Sequence, residues 1–161
     1  MLDENRSEQA IIIIDMINNI AHPNGENYAS ATKEIIPLVQ GELKYFRERM
    51  QPVIFCNTKK NSLFNQQIIH ELSPHPQEVL LLKKSFNAFF ETNLLKVLHE
   101  NRVKSLTIVG VFTHESILRT VASALDHGFS VVVPETCTCS KTPEDQEAAL
   151  LCINRWLSQS A

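Results

Sequence analysis

Apolar residues fall along this chain in short continuous runs separated by stretches of helical spacing, and three of the runs end on groups that a core does not select. Ile11-Ile12-Ile13-Ile14 meets Asp15, Val79-Leu80-Leu81-Leu82 meets Lys83, and Leu106 to Val111 leads into Phe112-Thr113-His114-Glu115-Ser116. Continuous runs of this length, rich in β-branched residues, read as strands buried on both faces of a parallel sheet. The pattern predicts strands over Ala10 to Ile14, Val53 to Cys56, Glu78 to Leu82, Val103 to Val111 and Phe129 to Val133.

Helices are predicted between them. Ile35, Ile36, Val39, Leu43 and Phe46 recur at helical spacing, with Ser30 as a candidate cap and Pro37 as a local objection. Asn87 to Glu100 places Phe89, Phe90, Leu94, Leu95 and Leu98 on one broad face, with Thr92 or Asn87 at its start, and Glu115 to His127 is closed by Gly128. The last helix opens at Thr142-Pro143-Glu144-Asp145 and is expected to turn Ala148, Leu151, Cys152 and Trp156 inward. Residues 57–78 have little periodicity and read as a loop with one short helix, walling a pocket. Strand and helix alternate five times, which predicts a three-layer α/β/α sandwich around a Rossmann-like, mostly parallel sheet of about five strands. Residues 1–161 are read as a single domain.

Composition adds exclusions. With 43% hydrophobic and 20% charged residues, the chain is an ordinary globule rather than a disordered or fibrous one. A net charge of −3 with mixed signs leaves no basic footprint for nucleic acid. Charge interrupts every apolar stretch before membrane-spanning length, and the opening Met1-Leu2-Asp3-Glu4-Asn5-Arg6 is polar, so a cytoplasmic location is expected. The cysteines at 56, 137, 139 and 152 form no C-x-x-C pair, which favours buried thiols over a metal or redox site.

Parallel strands bring their C-terminal ends to one edge, where ligand crevices of open sheets form. Asp15, Lys83 and Ser116 would meet there. Asp15 is a candidate acid, base or orienting carboxylate, Lys83 a candidate charge partner, and Ser116 a hydroxyl at a helix start where free N–H groups favour negative charge. Each also has a plain reading as cap, solvated turn or paired core charge. Phe89, Phe86 and Phe112 are candidate walls of a flat pocket, or core aromatics.

These segments resemble the isochorismatase-like (cysteine hydrolase) family over nearly the whole chain. Ile14-Asp15-Met16-Ile17-Asn18-Asn19 is similar to the family's first-strand acid followed by Met-Gln-Asn-Asp. Lys83-Lys84-Ser85-Phe86-Asn87-Ala88-Phe89-Phe90-Glu91-Thr92-Asn93-Leu94 resembles Lys-x-x-Tyr-Ser-Ala-Phe-x-x-Thr-x-Leu and selects Lys83 over Lys84. Gly110 to Ile117 resembles Gly-Val-x-Thr-x-x-Cys-Val, with Ser116 in the place of the nucleophilic cysteine. Val131 to Thr136 is similar to Val-x-x-Asp-Ala, with glutamate for aspartate.

The resemblance implies catalytic roles for Asp15, Lys83 and Ser116. It also implies a cis peptide at Val111–Phe112, whose neighbourhood forms the oxyanion region. The implied activity is hydrolysis of a small metabolite at an amide C–N or vinyl-ether bond, the latter needing no cysteine. The alternative is an inactive relative that binds a small molecule or a protein. Nicotinamidases of the family hold a metal after the second strand, whereas Phe55-Cys56-Asn57-Thr58-Lys59-Lys60-Asn61 has no acid or histidine, so neither metal nor cofactor is expected. The insertion between strands two and three is short, which predicts an open pocket, and the family's sixth strand after the last helix is missing, which leaves the edge of strand five for a partner to cover. Relatives are commonly dimers or larger, so a homodimer or higher homo-oligomer is expected. Cys137 is a remote candidate for a replacement thiol.

Overall fold

A computed structural model describes residues 8–160 of the protein; the polar opening Met1 to Arg6 lies outside them. Six parallel strands form the sheet: β1 (Gln9–Ile14), β2 (Val53–Thr58), β3 (Val79–Lys83), β4 (Ser105–Val111), β5 (Ser130–Val132) and β6 (Thr138–Cys139). Their order is β3-β2-β1-β4-β5, with β6 pairing the far end of β4. The chain winds outward from β1 through β2 to β3, then returns to place β4 on the other side of β1. The switch point, where a crevice opens beyond the strand ends, therefore lies between β1 and β4.

Alternate residues of the strands face opposite layers. Ile11, Ile13, Phe55 and Val109 pack with Ile35, Val39, Leu43 and Phe46 of helix α2 (Thr32–Glu48), near the short α1 (Asn18–Ala21) and α3 (Leu63–Gln66). Ile12, Ile14, Ile54 and Ile108 pack with Leu94 and Leu98 of α4 (Leu94–Glu100), Val121 and Ala124 of α5 (Leu118–Asp126), and Ile153 of α6 (Pro143–Ser160). Burial on both faces explains the continuous isoleucine run. Among the described residues no helix is long and apolar enough to cross a membrane.

The three-layer α/β architecture is the expected one, and its boundaries differ for local reasons. Ser30 does not cap α2; Ala31 occupies the cap position and no side chain supplies the bond. Pro37 is tolerated inside α2. The helix predicted from Asn87 begins only at Leu94, because its first half gives backbone N–H groups to side chains instead of the helical ladder: Asn87 Oδ1 accepts from Phe89 N at 2.9 Å, and Ala88 N donates to the distant Thr120 Oγ1 at 3.1 Å. Asn93 holds the cap position of the helix without a side-chain bond, while Thr92 Oγ1 accepts from Leu94 N at 3.2 Å. In α6 the inward residues are Ala149 and Ile153, not Ala148, Leu151 and Cys152, which are exposed. The unbroken apolar run from Ala148 to Ile153 fits two helical phases equally well. In β3 the lysine is buried as expected, but Leu80 and Leu82 are 57% and 55% exposed, since this strand is an edge with one face open. The two-residue β6, ahead of α6, covers the end of β4 that β5 leaves free.

Candidate active site

Strand ends converge on one polar cluster. Asp15 follows β1 in a left-handed backbone conformation, φ 54°, which short polar side chains tolerate better than most. Its N–H donates to Cys56 O at 3.2 Å, and its Oδ1 accepts from Thr58 N at 2.6 Å. Its Oδ2 accepts from Thr58 Oγ1 at 3.0 Å and from Lys83 Nζ at 3.0 Å. Lys83, 1% exposed, also donates to Thr58 Oγ1 at 2.8 Å, to Ser116 Oγ at 3.1 Å and to Ser85 O at 3.4 Å. A lysine this deeply buried is held by a carboxylate and hydroxyl oxygens, the arrangement that offsets its desolvation.

Ser116, 2% exposed, lies in the π-helical turn Thr113–Ile117 ahead of α5. No direct hydrogen bond joins Ser116 to Asp15; the Lys83 ammonium stands between them. Gly110, φ 114°, brings β4 against β1 so closely that a Cβ there would sit 2.1 Å from Ile14 O. The Val111–Phe112 peptide is cis.

Asp15 and Ser116 open onto a cavity of about 710 Å³ whose wall includes Asn19, Thr58, Lys60, Phe86, Phe112 and Lys141. The loop from Glu26 to Ala31 forms its outer side. Phe112, also part of the core that faces α2, lines this cavity. Val111 does not: it is fully buried among the residues that face α2. Phe89 is removed from the site too, stacking on Phe129 with centroids 6.2 Å apart on the opposite layer. Both side chains pack in the layers on either side of the sheet instead, so nearness in sequence misplaces them. A separate cavity of about 570 Å³ flanks β3 near Asn57, His70 and Leu82 and contains none of the three candidate residues.

Cys137 is buried against the α2 layer, outside the cavity lining, and burial pushes its thiol up. Burial likewise pushes Cys56 and Cys139 up to about 12, with Lys83 opposing and Asp15 reinforcing the effect at Cys56. None of these thiols replaces Ser116. The residue that the sequence pattern did not single out is Thr58, which bridges Asp15 and Lys83 through one hydroxyl. A signal for it exists in the chain: it is the polar residue ending β2 on the same sheet edge.

Residues 9–158 match the family description "Isochorismatase domain". The chain belongs to the isochorismatase family. It is 29% identical to YaaI, an isochorismatase family protein of Bacillus subtilis, over 90% of this chain and 88% of the relative. Maleamate amidohydrolase of Pseudomonas putida is 24% identical over 90% of this chain and 78% of its own length. An isochorismatase family protein of Desulfovibrio vulgaris has the same fold, with a TM-score of 0.89 at 20% identity, covering 93% of this chain and 91% of that one.

A metal of the kind held by the nicotinamidase branch does not fit this isochorismatase-family chain. Among the described residues no three His, Cys, Asp or Glu side chains cluster to hold an ion. After β2 the cavity wall instead carries Lys60, whose ammonium would repel one.

Proposed function

We propose that the protein hydrolyses a small metabolite, with Asp15 as the acid–base group, Lys83 as its charge partner and Ser116 as a hydroxyl that positions substrate. The observation that carries this reading is the Asp15–Lys83 ion pair, at 3.0 Å and almost fully buried, ending on a cavity of substrate size. A buried pair stabilises a fold poorly compared with apolar residues of the same volume, which favours a use other than packing.

The hydrogen-bond pattern favours a direct reaction over an acyl-enzyme. Lys83 donates to Ser116 Oγ, and Asp15 is not bonded to Ser116, so the serine has no base to take its proton. Asp15 accepts three hydrogen bonds, leaving acceptor capacity for a water. On an amide, that water attacks the carbonyl carbon and passes a proton to Asp15, while the Ser116 O–H donates to the developing oxyanion. Collapse returns the proton to the leaving nitrogen and yields carboxylic acid and amine. Since one relative is named for amide hydrolysis, amides are the first class to test, followed by vinyl ethers.

Asp15→Asn is expected to lower turnover at least about a hundredfold on whichever substrate is found in such a panel. Unchanged turnover sinks the assignment. The second reading, a silent binding module, is favoured by the Lys83 donation to Ser116, which leaves the serine without activation as a nucleophile. Ligand binding without turnover on amides, esters and vinyl ethers would establish it.

A further inference from the structure

Charged side chains on the cavity wall are accounted for with one exception. Asp15 is paired with Lys83. Lys141 is 2.9 Å from Glu115 and lies 5.1 Å from the centre of the Phe112 ring. Glu26 is exposed at the rim, where its Oε2 accepts from Asn65 Nδ2 at 3.4 Å. Lys60 is half-buried, and among the described residues its ammonium has neither a carboxylate in ion-pair range nor a hydrogen-bond acceptor.

The backbone that carries Lys60 is held firmly. Lys60 N donates to Gln66 Oε1 at 2.6 Å, and Gln66 Nε2 returns a bond to Thr58 O at 3.2 Å. Lys59 N donates to Lys83 O at 3.3 Å. The same short segment thus fixes Thr58 on Asp15 and Lys60 on the cavity wall. An ammonium on a cavity wall without a counter-charge gains from an anionic ligand, through a charge-assisted hydrogen bond.

We propose that Lys60 binds a carboxylate of the substrate, so that the site takes small amides which also carry a carboxylate, in preference to neutral ones. The inference rests on the hydrolytic reading for the word substrate, but the anion site is testable without it. Binding of acetate, succinate and benzoate is measured by calorimetry on the wild-type chain and on Lys60→Gln, Lys60→Arg and Lys60→Glu. Hydrolysis of succinamate is compared with that of butanamide.

At least one of the carboxylates is expected to bind the wild type. The Lys60→Gln change should weaken that binding roughly ten- to a hundredfold. Lys60→Arg should retain it, and Lys60→Glu should abolish it. In turnover, Lys60→Gln should raise KM for succinamate and leave that for butanamide unchanged. No carboxylate binding by the wild type, or equal binding by Lys60→Gln, overturns the proposal. Carboxylate binding that depends on Lys60 without turnover of either amide supports the anion site and counts against the hydrolytic reading alone.

Discussion

At the residue, the question is what a hydroxyl does beside an ammonium. Ser116 Oγ lies 3.1 Å from Lys83 Nζ, a contact that does little for an alcohol far from ionisation but much for a thiol, whose unperturbed pKa is about 8.5. If Ser116 stands where relatives carry their nucleophile, Ser116→Cys creates a thiol beside a fixed positive charge, and the thiolate is favoured. The variant is expected to be alkylated by iodoacetamide at neutral pH faster than Cys152, the exposed native cysteine, with Cys56, Cys137 and Cys139 protected by burial. Peptide mapping by mass spectrometry reads the order of labelling. Labelling of the new cysteine no faster than Cys152 would mean that the Lys83 field does not activate this position.

Among the elements, β1 and β4 lead into Asp15 and Ser116, and their contact depends on Gly110. Its φ of 114°, and the 2.1 Å that would separate an added Cβ from Ile14 O, leave room for no side chain. Gly110→Ala should destabilise the fold by about 3 kcal/mol or more, seen as a lower urea midpoint, and should disturb Asp15, the residue after Ile14. A midpoint equal to the wild type's would show that the strands separate freely. Strand identity was legible in the sequence because both faces are covered, so unbroken apolar runs carried the signal. The Asp15, Lys83 and Ser116 cluster was legible for the same reason: polar groups ending such runs share one edge. What stayed hidden is what depends on rotation about an axis. Phe89 and Val111 point away from the cavity, and α6 adopts the other of two apolar phases. Thr58 was missed because a single hydroxyl at a strand end has many uses, and only the partners on β1 and β3 reveal its bridging role.

For the whole molecule, the layer formed by α2 is tied to the edge strand that delivers Lys83. Arg47, near the end of α2, donates from Nε to Glu78 Oε1 at 2.6 Å and from Nη2 to Oε2 at 2.9 Å, and Nη2 also reaches Ser73 O at 2.9 Å. His75 N adds a bond to Oε2 at 2.8 Å. Glu78 immediately precedes β3, so this fork closes the long connection from β2 before the strand begins. Burial is the largest single influence on the Glu78 carboxyl and pulls its pKa upward, but the hydrogen bonds and charges of Arg47 and His75 together outweigh it and hold the group below its ordinary 4.5. A carboxyl whose pKa is lower in the folded than in the unfolded chain contributes stability that is present above the unfolded value and lost as pH falls through the folded one. Glu78→Gln should therefore cost about 1–3 kcal/mol near neutrality, where the charge-assisted bonds are lost. The difference from wild type should shrink as pH falls from neutrality to below the ordinary carboxyl value of 4.5, as the native carboxyl takes up its proton. Urea midpoints of both proteins across that range measure it. A gap that stays constant with pH would mean that Glu78 holds the connection by shape alone, and that its charge contributes nothing to keeping β3 and Lys83 in place.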